Sequence, residues 1–182
     1  HQLRTPLAVL KVQVQSALRG DLPPTEALQE IQTTVDRATM LANQMLSLAK
    51  VEQLRQQSDY HPVDWTDVVR TVALELAPLI AQHDLDFEIA VEPCNVLGHE
   101  WMLREMVRNL LHNAIHHCPM KTQLQITMQQ VDGKGVLTIR DSGAGIPEDM
   151  RLRLFQPFSA GNTRSGTGLG LTIVREVVDA LG

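Results

Sequence analysis

The feature that most constrains the fold is the spacing of apolar residues over positions 1–57. Apolar residues recur at alternating steps of four and three, at Leu3, Leu7, Leu10, Val14 and Ala17. This spacing places a single apolar stripe along a helix that packs against other helices. We therefore predict that the chain begins with an α-helix whose apolar side needs a helical partner.

A break at residues 20–24 predicts the end of this helix and the start of a second one. Gly20 can cap a helix C-terminus, and the prolines at 23 and 24 cannot continue the helix. We expect Thr25 to cap the second helix. Its apolar residues repeat the same steps, at Leu28, Ile31, Val35, Ala38, Ala42, Met45 and Ala49. Because two helices alone bury little surface, we expect the hairpin to pair with a second copy in a dimeric four-helix bundle.

From about residue 58 the pattern becomes mixed. Residues 59–62 predict a linker, because Pro62 disfavours helix at the residue before it. Alternating patterns predict strands at 85–91, 124–131 and 136–141, and helical spacing predicts helices at about 68–80, 99–117 and from 169. We predict a hairpin over 1–57, a linker over 58–63 and a second domain over 64–182. In that domain, helices would cover one face of a sheet.

Composition excludes several classes of protein. The formal net charge is −5, with 16 Lys and Arg against 21 Asp and Glu, and no long basic run predicts a nucleic-acid or anionic-membrane binder. Two cysteines are too few for a disulfide-stapled secreted scaffold, so a reducing, cytosolic setting fits better. We find no apolar stretch of membrane-spanning length and no signal peptide. His1 lies within a predicted helix, so we expect the sequence to be a piece of a longer protein.

The segment Asp141-Ser142-Gly143-Ala144-Gly145-Ile146-Pro147 carries the first candidate binding motif. Asp141 shares a strand face with Leu137 and Ile139, which predicts a carboxylate at the buried end of an apolar row. Such a carboxylate needs a hydrogen-bond donor, and the amino group of a planar base such as adenine would serve. The glycines permit a sharp turn and close approach to a ligand. The alternative is a simple tight turn between a strand and a loop.

A second glycine motif, Gly166-Thr167-Gly168-Leu169-Gly170-Leu171, precedes the last helix. Free N–H groups at such a helix start can bind phosphate, and residues 161–166 are candidates for a lid. The motif matches neither the P-loop nor the dinucleotide fingerprint. By itself it could also be a flexible connector.

The predicted helix at 99–117 carries a polar stripe. Glu105, Asn109, Asn113 and His116 follow at steps of four, four and three, on one face. Two amide carbonyl oxygens on one face can bind a divalent cation together with water and phosphate oxygens. The alternative is a solvated helix face, although asparagine is a mediocre helix former.

The first residue offers a candidate nucleophile. A neutral imidazole at His1 would be reactive at physiological pH, off the apolar stripe and open to solvent. Thr5 lies one turn along on the same face. A histidine at the first position can also be without function.

Taken together and in this order, the motifs resemble those of bacterial sensor histidine kinases of two-component systems. His1-Gln2-Leu3-Arg4-Thr5-Pro6-Leu7 is similar to the phosphoacceptor motif, and residues 109–114 to the N box. Residues 141–146 and 166–171 are similar to the two glycine boxes, and Leu154-Phe155-Gln156-Pro157-Phe158 to the phenylalanine box. The resemblance implies a dimerising phosphotransfer hairpin followed by an α/β sandwich of the type found in gyrase, heat-shock chaperones and histidine kinases. It also implies further strands after residue 182.

The resemblance implies specific roles for residues of this chain. His1 would accept the γ-phosphoryl group of ATP, Asp141 would hold the adenine amino group, and Asn113 would ligate Mg²⁺. Asn109 and His117 would attend the phosphates, and His116 stands where a phosphate-binding Lys or Arg is common. The remaining nucleotide-binding positions would be Gly143, Gly145, Ile146, Phe158, Arg164, Gly166, Thr167, Gly168, Leu169 and Gly170.

Two departures from the family pattern bear on the chemistry. Gln2 replaces the usual acid after the phosphoacceptor, so it can accept a hydrogen bond from His1 but cannot take its proton. Asn109 replaces the glutamate that activates water in gyrase-like ATPases, and Glu105 is one turn, roughly 6 Å, away along the helix axis. We predict an ATP-dependent protein-histidine kinase rather than an ATPase. The alternative is a degenerate nucleotide-binding scaffold without autokinase activity.

The resemblance also implies the kinase's partners and setting. The phosphoryl group would pass to an aspartate of a response-regulator receiver domain. A secondary hypothesis rests on position: Thr5, one turn from His1 on the same face, would help to position water that dephosphorylates this partner. The kinase would act as a homodimer, in the cytoplasmic portion of a sensor anchored in the inner membrane through upstream segments.

Overall fold

A computed structural model describes residues 3–157 and 168–182 of the chain. The helices are α1 (Arg4–Arg19), α2 (Pro24–Gln57), α3 (Trp65–Gln82), α4 (Glu100–His117), α5 (Glu148–Arg151) and α6 (Gly170–Leu181). The strands are β1 (His61–Asp64), β2 (Asp86–Val91), β3 (Asn95–Gly98), β4 (Gln123–Val131) and β5 (Lys134–Asp141).

Helices α1 and α2 form the predicted hairpin. Gly20 takes a left-handed backbone conformation (φ 75°) and its N–H donates to the Ala17 carbonyl, so the predicted glycine cap is confirmed. The expectation for Thr25 is wrong, because α2 begins at Pro24 with Pro23 as its N-cap. Proline suits the first helical position since its φ is already helical and no intrahelical N–H bond is lost there.

The hairpin leaves much of its apolar stripe uncovered. No residue of α1 is buried in the described part of the chain, and Leu7 is 60% exposed. On α2, Leu28 is 66% exposed and Val35 43% exposed. A second helical layer would bury this surface, as in the predicted four-helix bundle.

Two small sheets follow the hairpin. Strands β1 and β3 pair antiparallel, and the second sheet has the order β2-β4-β5, with β2–β4 parallel and β4–β5 antiparallel. The predicted linker over 58–63 thus contains part of a strand. Four residues give too short an alternation to identify β1, and its partner β3 lies far along the chain.

Helices α3, α4 and α6 pack with the larger sheet to form the main core. Leu124, Ile126 and Met128 alternate along β4 and are at most 1% exposed, while the residues between them are half-buried. The most buried helical residues in this core include Val69, Val72, Val107, Leu111, Ile115, Ile173 and Val177. This arrangement agrees with the predicted layer of helices on one face of a sheet.

The C-terminal part of α2 packs against this core. Val51 is 2% exposed and packs within the core, and the Tyr60 hydroxyl donates to the Ala180 carbonyl at 3.0 Å. The Lys50 Nζ lies 4.1 Å from the ring centre of Trp101, at the start of α4. The division of the chain at residues 58–63 therefore stays a prediction. Among the described helices, none is long and apolar enough to span a bilayer.

Candidate functional site

Asp141 ends strand β5 beside the carboxyl end of α4. Its Oδ1 accepts a hydrogen bond from the Gly143 N–H at 2.8 Å. A Cβ on Gly143 would lie 2.6 Å from that oxygen and 2.7 Å from the His117 carbonyl oxygen, so a side chain does not fit there. The predicted burial of Asp141 is wrong: its side chain is exposed, because the strand ends there and the chain turns away.

The rest of the first glycine motif turns the chain from β5 towards α5. Gly145 has a φ of 74°, which a residue with a side chain rarely adopts. Ile146 is 45% exposed, and its carbonyl accepts from the Arg151 Nε at 3.1 Å. The turn thus leaves the apolar side chain of Ile146 partly exposed, five residues after Asp141.

The α4 stripe carries the two predicted amides. Asn113 is exposed, and Asn109 is half-buried one turn earlier. The Asn109 Nδ2 donates to the Glu105 carbonyl at 2.8 Å and to Glu105 Oε1 at 3.2 Å. Since Glu105 only accepts at these two atoms, the NH2 group has to face it. The Asn109 Oδ1 is left as an acceptor that faces the start of α6.

The start of α6 lies beside Asn109. A Cβ on Gly170 would be 3.1 Å from the Asn109 Oδ1. Gly168 has a φ of 72° and Leu169 is 1% exposed, so the second glycine motif is anchored in the core just before the helix. The Thr172 hydroxyl donates to the Phe155 carbonyl at 3.3 Å, which ties the phenylalanine motif to α6.

Histidines gather at the carboxyl end of α4. The ring centroids of His112 and His116 are 4.4 Å apart, and His83 contacts His116 edge-on at 6.2 Å. Partial burial, with smaller effects of His83 and His117, lowers the pKa of His116. Burial and the neighbouring His116 lower the pKa of His112. Both shifts favour the neutral imidazole, which offers an N–H group rather than charge.

Among the predicted site residues that the structure describes, contacts join two groups. Asp141, Gly143 and His117 meet at one end, and Asn109 and Gly170 at the other. Thr5 is exposed on α1. Six predicted positions lie outside the described residues: His1, Gln2, Phe158, Arg164, Gly166 and Thr167.

Sequence reasoning missed two contacts at the site. His83 reaches the α4 histidines from the end of α3, and Ser47 of α2 donates to Glu105 Oε1 at 3.3 Å. No local signal in the sequence points to either contact, because each joins elements that are distant along the chain.

Two family models match the chain. Residues 1–54 match the His Kinase A (phospho-acceptor) domain, and residues 98–182 match the histidine kinase-, DNA gyrase B- and HSP90-like ATPase. The solved mycobacterial sensor histidine kinase MprB is 34% identical, with 68% of this chain and 80% of that chain covered, and a TM-score of 0.60. The chain belongs to the sensor histidine kinase family. Its predicted fold, a helical hairpin followed by the ATP-binding sandwich, is confirmed.

Other sensor kinases are similar over nearly the whole chain. The solved histidine kinase AdeS of Acinetobacter baumannii has a TM-score of 0.77 at 27% identity, over 99% of this chain and 86% of that one. The sensor protein kinase PmrB of Pseudomonas aeruginosa is 32% identical over 184 residues, covering 98% of this chain but 39% of PmrB. The chain thus spans about two fifths of the length of the curated kinases that it matches.

Proposed function

We propose that the chain is an ATP-dependent protein-histidine kinase that autophosphorylates His1 and passes the phosphoryl group to a receiver-domain aspartate. The observation that carries this proposal is the position of the nucleotide site against the hairpin. Glu105 and Asn109 on α4 lie beside α2, the helix that packs with α1. Helix α1, which follows His1 in the sequence, therefore packs against the helix that borders the proposed phosphate end of the site.

Asp141 and Gly143 are proposed to bind the base. One carboxylate oxygen of Asp141 already accepts from Gly143, so the other is available to the amino group of adenine. Because Gly143 has no side chain, the chain can pass close to the His117 carbonyl at the end of α4 and its N–H can reach the Asp141 carboxylate. The partly exposed Ile146 side chain is proposed to offer apolar contact to the base.

The phosphate end fits a magnesium nucleotide. The described residues hold no group of three or more His, Cys, Asp or Glu side chains that could bind a metal by themselves. Mg²⁺ commonly binds through one or two protein oxygens together with water and phosphates, and the carbonyl oxygens of Asn109 and Asn113 are suitable ligands. When bound, the cation would neutralise phosphate charge. His116, His117 and the N–H groups at Gly168–Gly170 would face the phosphates.

The chemical step is a transfer of the γ-phosphoryl group. A ring nitrogen of His1 bonds to phosphorus as the bond to ADP breaks, and the ring then gives its N–H proton to solvent. Gln2 can orient the imidazole but cannot take that proton. In-line positioning supplies much of the rate enhancement in such transfers.

Hydrolysis by water is the disfavoured alternative. Asn109 cannot act as a base, and the Glu105 Oε1 already accepts from both Asn109 and Ser47. The second alternative, a degenerate scaffold, would bind the nucleotide without phosphorylating the chain.

Calorimetry with magnesium–ATP, followed by incubation with γ-labelled ATP, separates the three functions. We expect binding and an acid-labile label. Binding without a label would indicate the scaffold, and steady phosphate release without a label would indicate an ATPase.

Two partners are part of the proposal. The exposed apolar stripe of α1 and α2 supports a homodimeric four-helix bundle. A response regulator is the proposed acceptor, and the histidine kinase ThkA, which shares the fold, has been solved in complex with the response regulator protein TrrA. The curated relatives are described as sensor proteins, which supports a sensory region elsewhere in the whole protein.

Thr5 is proposed to position water for dephosphorylation of the partner. It is exposed on α1, one turn from His1 in sequence. Thr5→Ala should leave autophosphorylation unchanged and slow the release of phosphate from a phosphorylated receiver domain by about tenfold or more. Full phosphatase activity in this variant would contradict the role.

Nucleotide affinity should increase as the pH falls from 7.5 to 6. His116 is neutral in the free protein because its pKa is lowered. Nearby phosphates favour its charged form, so binding takes up a proton. Calorimetry at the two pH values gives the factor by which affinity increases in each protein. This factor should be roughly three- to tenfold larger for the wild type than for His116→Gln. The titration of ATP itself cancels in this comparison. The same pH dependence in both proteins would exclude a phosphate contact by His116.

A further inference from the structure

Glu105 receives hydrogen bonds from two different parts of the molecule. Its Oε1 accepts from the Asn109 Nδ2 at 3.2 Å and from the Ser47 hydroxyl at 3.3 Å. Asn109 belongs to the proposed nucleotide site on α4, and Ser47 belongs to α2 of the hairpin. All three side chains are half-buried at the junction between the two helices. One carboxylate oxygen therefore links the hairpin to the nucleotide site.

This link determines which way the Asn109 amide faces. The NH2 group is directed at two oxygens of Glu105, the carbonyl at 2.8 Å and Oε1 at 3.2 Å. With the amide reversed, its oxygen would face two acceptors without a hydrogen between them, which is unfavourable. The Glu105 carboxylate thus favours the orientation in which Oδ1 points towards the start of α6, where a Cβ on Gly170 would be 3.1 Å away. An oxygen in that position can bind a cation, whereas an NH2 group cannot.

Ser47 reaches Glu105 because α2 is docked at this place. Val51, one turn further along α2, is 2% exposed in the main core, and Lys50 lies over the Trp101 ring at 4.1 Å. If the hairpin shifted relative to α4, Ser47 would move away from Glu105. The carboxylate would then keep a single donor and gain freedom to leave Asn109.

We propose that Glu105 is a positioning residue that couples the docking of helix α2, through Ser47, to the orientation of the Asn109 amide. This coupling rests on the proposed function, because it acts on the binding of a magnesium nucleotide at Asn109. It makes nucleotide affinity depend on the position of the hairpin, and by linkage it makes hairpin docking depend on bound nucleotide. Glu105 itself touches neither the base nor the reacting atoms.

A double-mutant cycle on the full chain tests the coupling. Calorimetry would measure the affinity for the non-hydrolysable analogue AMPPNP, with Mg²⁺ and with EDTA, for the wild type, Ser47→Ala, Glu105→Ala and the double variant. With Mg²⁺ we expect a loss of about threefold for Ser47→Ala and about tenfold for Glu105→Ala. The double variant should lose no more than Glu105→Ala alone, since Ser47 acts only through Glu105. With EDTA the AMPPNP affinities of all four proteins should agree within about twofold, because the Asn109 oxygen acts through the cation.

Two controls separate positioning from a structural role. Glu105→Gln keeps an acceptor oxygen and should bind within about threefold of the wild type. Thr33→Ala removes another α2 hydroxyl, which donates to its own helix at the Gln29 carbonyl, and should change nothing. Additive losses in the cycle, or equal losses with and without Mg²⁺, would overturn the coupling. If the wild type binds and labels His1 while the cycle is additive, only the coupling fails. If the wild type does not bind the nucleotide, the proposed function fails and the coupling with it.

Discussion

Replacing His1 with glutamine should abolish acid-labile labelling of the chain by γ-labelled ATP while nucleotide affinity stays within about twofold of the wild type. The lone pair of an amide nitrogen is delocalised, so glutamine cannot attack phosphorus as an imidazole does. The described residues proposed to hold the nucleotide lie on α4, at the end of β5 and at the start of α6, and none of them is altered. This variant should therefore bind the nucleotide and carry no acid-labile label.

A matched histidine variant completes this experiment. His61 is an exposed histidine, 3.0 Å from the Asp59 carboxylate, outside the proposed site. His61→Gln should label like the wild type, which controls for general effects of losing an imidazole. Scintillation counting after acid and alkaline treatment distinguishes phosphohistidine from phosphoserine. A persistent acid-labile label in the His1 variant would show that another residue accepts the phosphoryl group.

Asp141→Asn should weaken ATP binding by about 10- to 100-fold and reduce the preference for adenine over guanine. A carboxylate has two acceptor oxygens, and one of them already accepts from the Gly143 N–H. Asparagine has a single oxygen, and if the Gly143 N–H keeps it, an NH2 group faces the adenine NH2 group. Two donors facing each other leave buried polar groups unpaired, which discriminates strongly in such sites. The same NH2 group suits the O6 acceptor of guanine.

Competition calorimetry with ATP and GTP measures both effects. Asp86→Asn is the control, because Asp86 is another exposed strand carboxylate on the same sheet, which accepts from Gln123 at 3.4 Å. It should bind ATP as the wild type does. If Asp141→Asn retains wild-type ATP affinity, Asp141 does not recognise the base.

Local sequence chemistry was sufficient where neighbouring residues decide the structure. The apolar steps and Gly20 predicted the hairpin, and alternation predicted β4 and β5. A tight turn joins these two strands, with positive φ angles at Asp132 and Gly133. The spacing of Asn109 and Asn113 also placed both amides on one side of α4, since helical periodicity depends on sequence alone.

Sequence reasoning failed where distant segments meet. β1 and β3 are four residues each and exist as a ladder only because they pair with each other. The burial of Asp141 was inferred from its strand face, yet burial at a strand end depends on what packs over it. The Ser47–Glu105 contact joins residues 58 positions apart and leaves no periodic trace in either helix. Capping by Pro23 rather than Thr25 shows that a proline at the first helical position can shift a helix start.

The 34 residues of α2 form one uninterrupted helix, and Leu48, Val51 and Leu54 near its end pack in the main core. A fragment that starts after residue 57 would lose the Val51 side chain and leave a hole lined by hydrophobic groups. Chimeras that exchange hairpins between related kinases should therefore have their junction upstream of Ser47. The last three turns of α2 then come from the same kinase as the sandwich against which they pack.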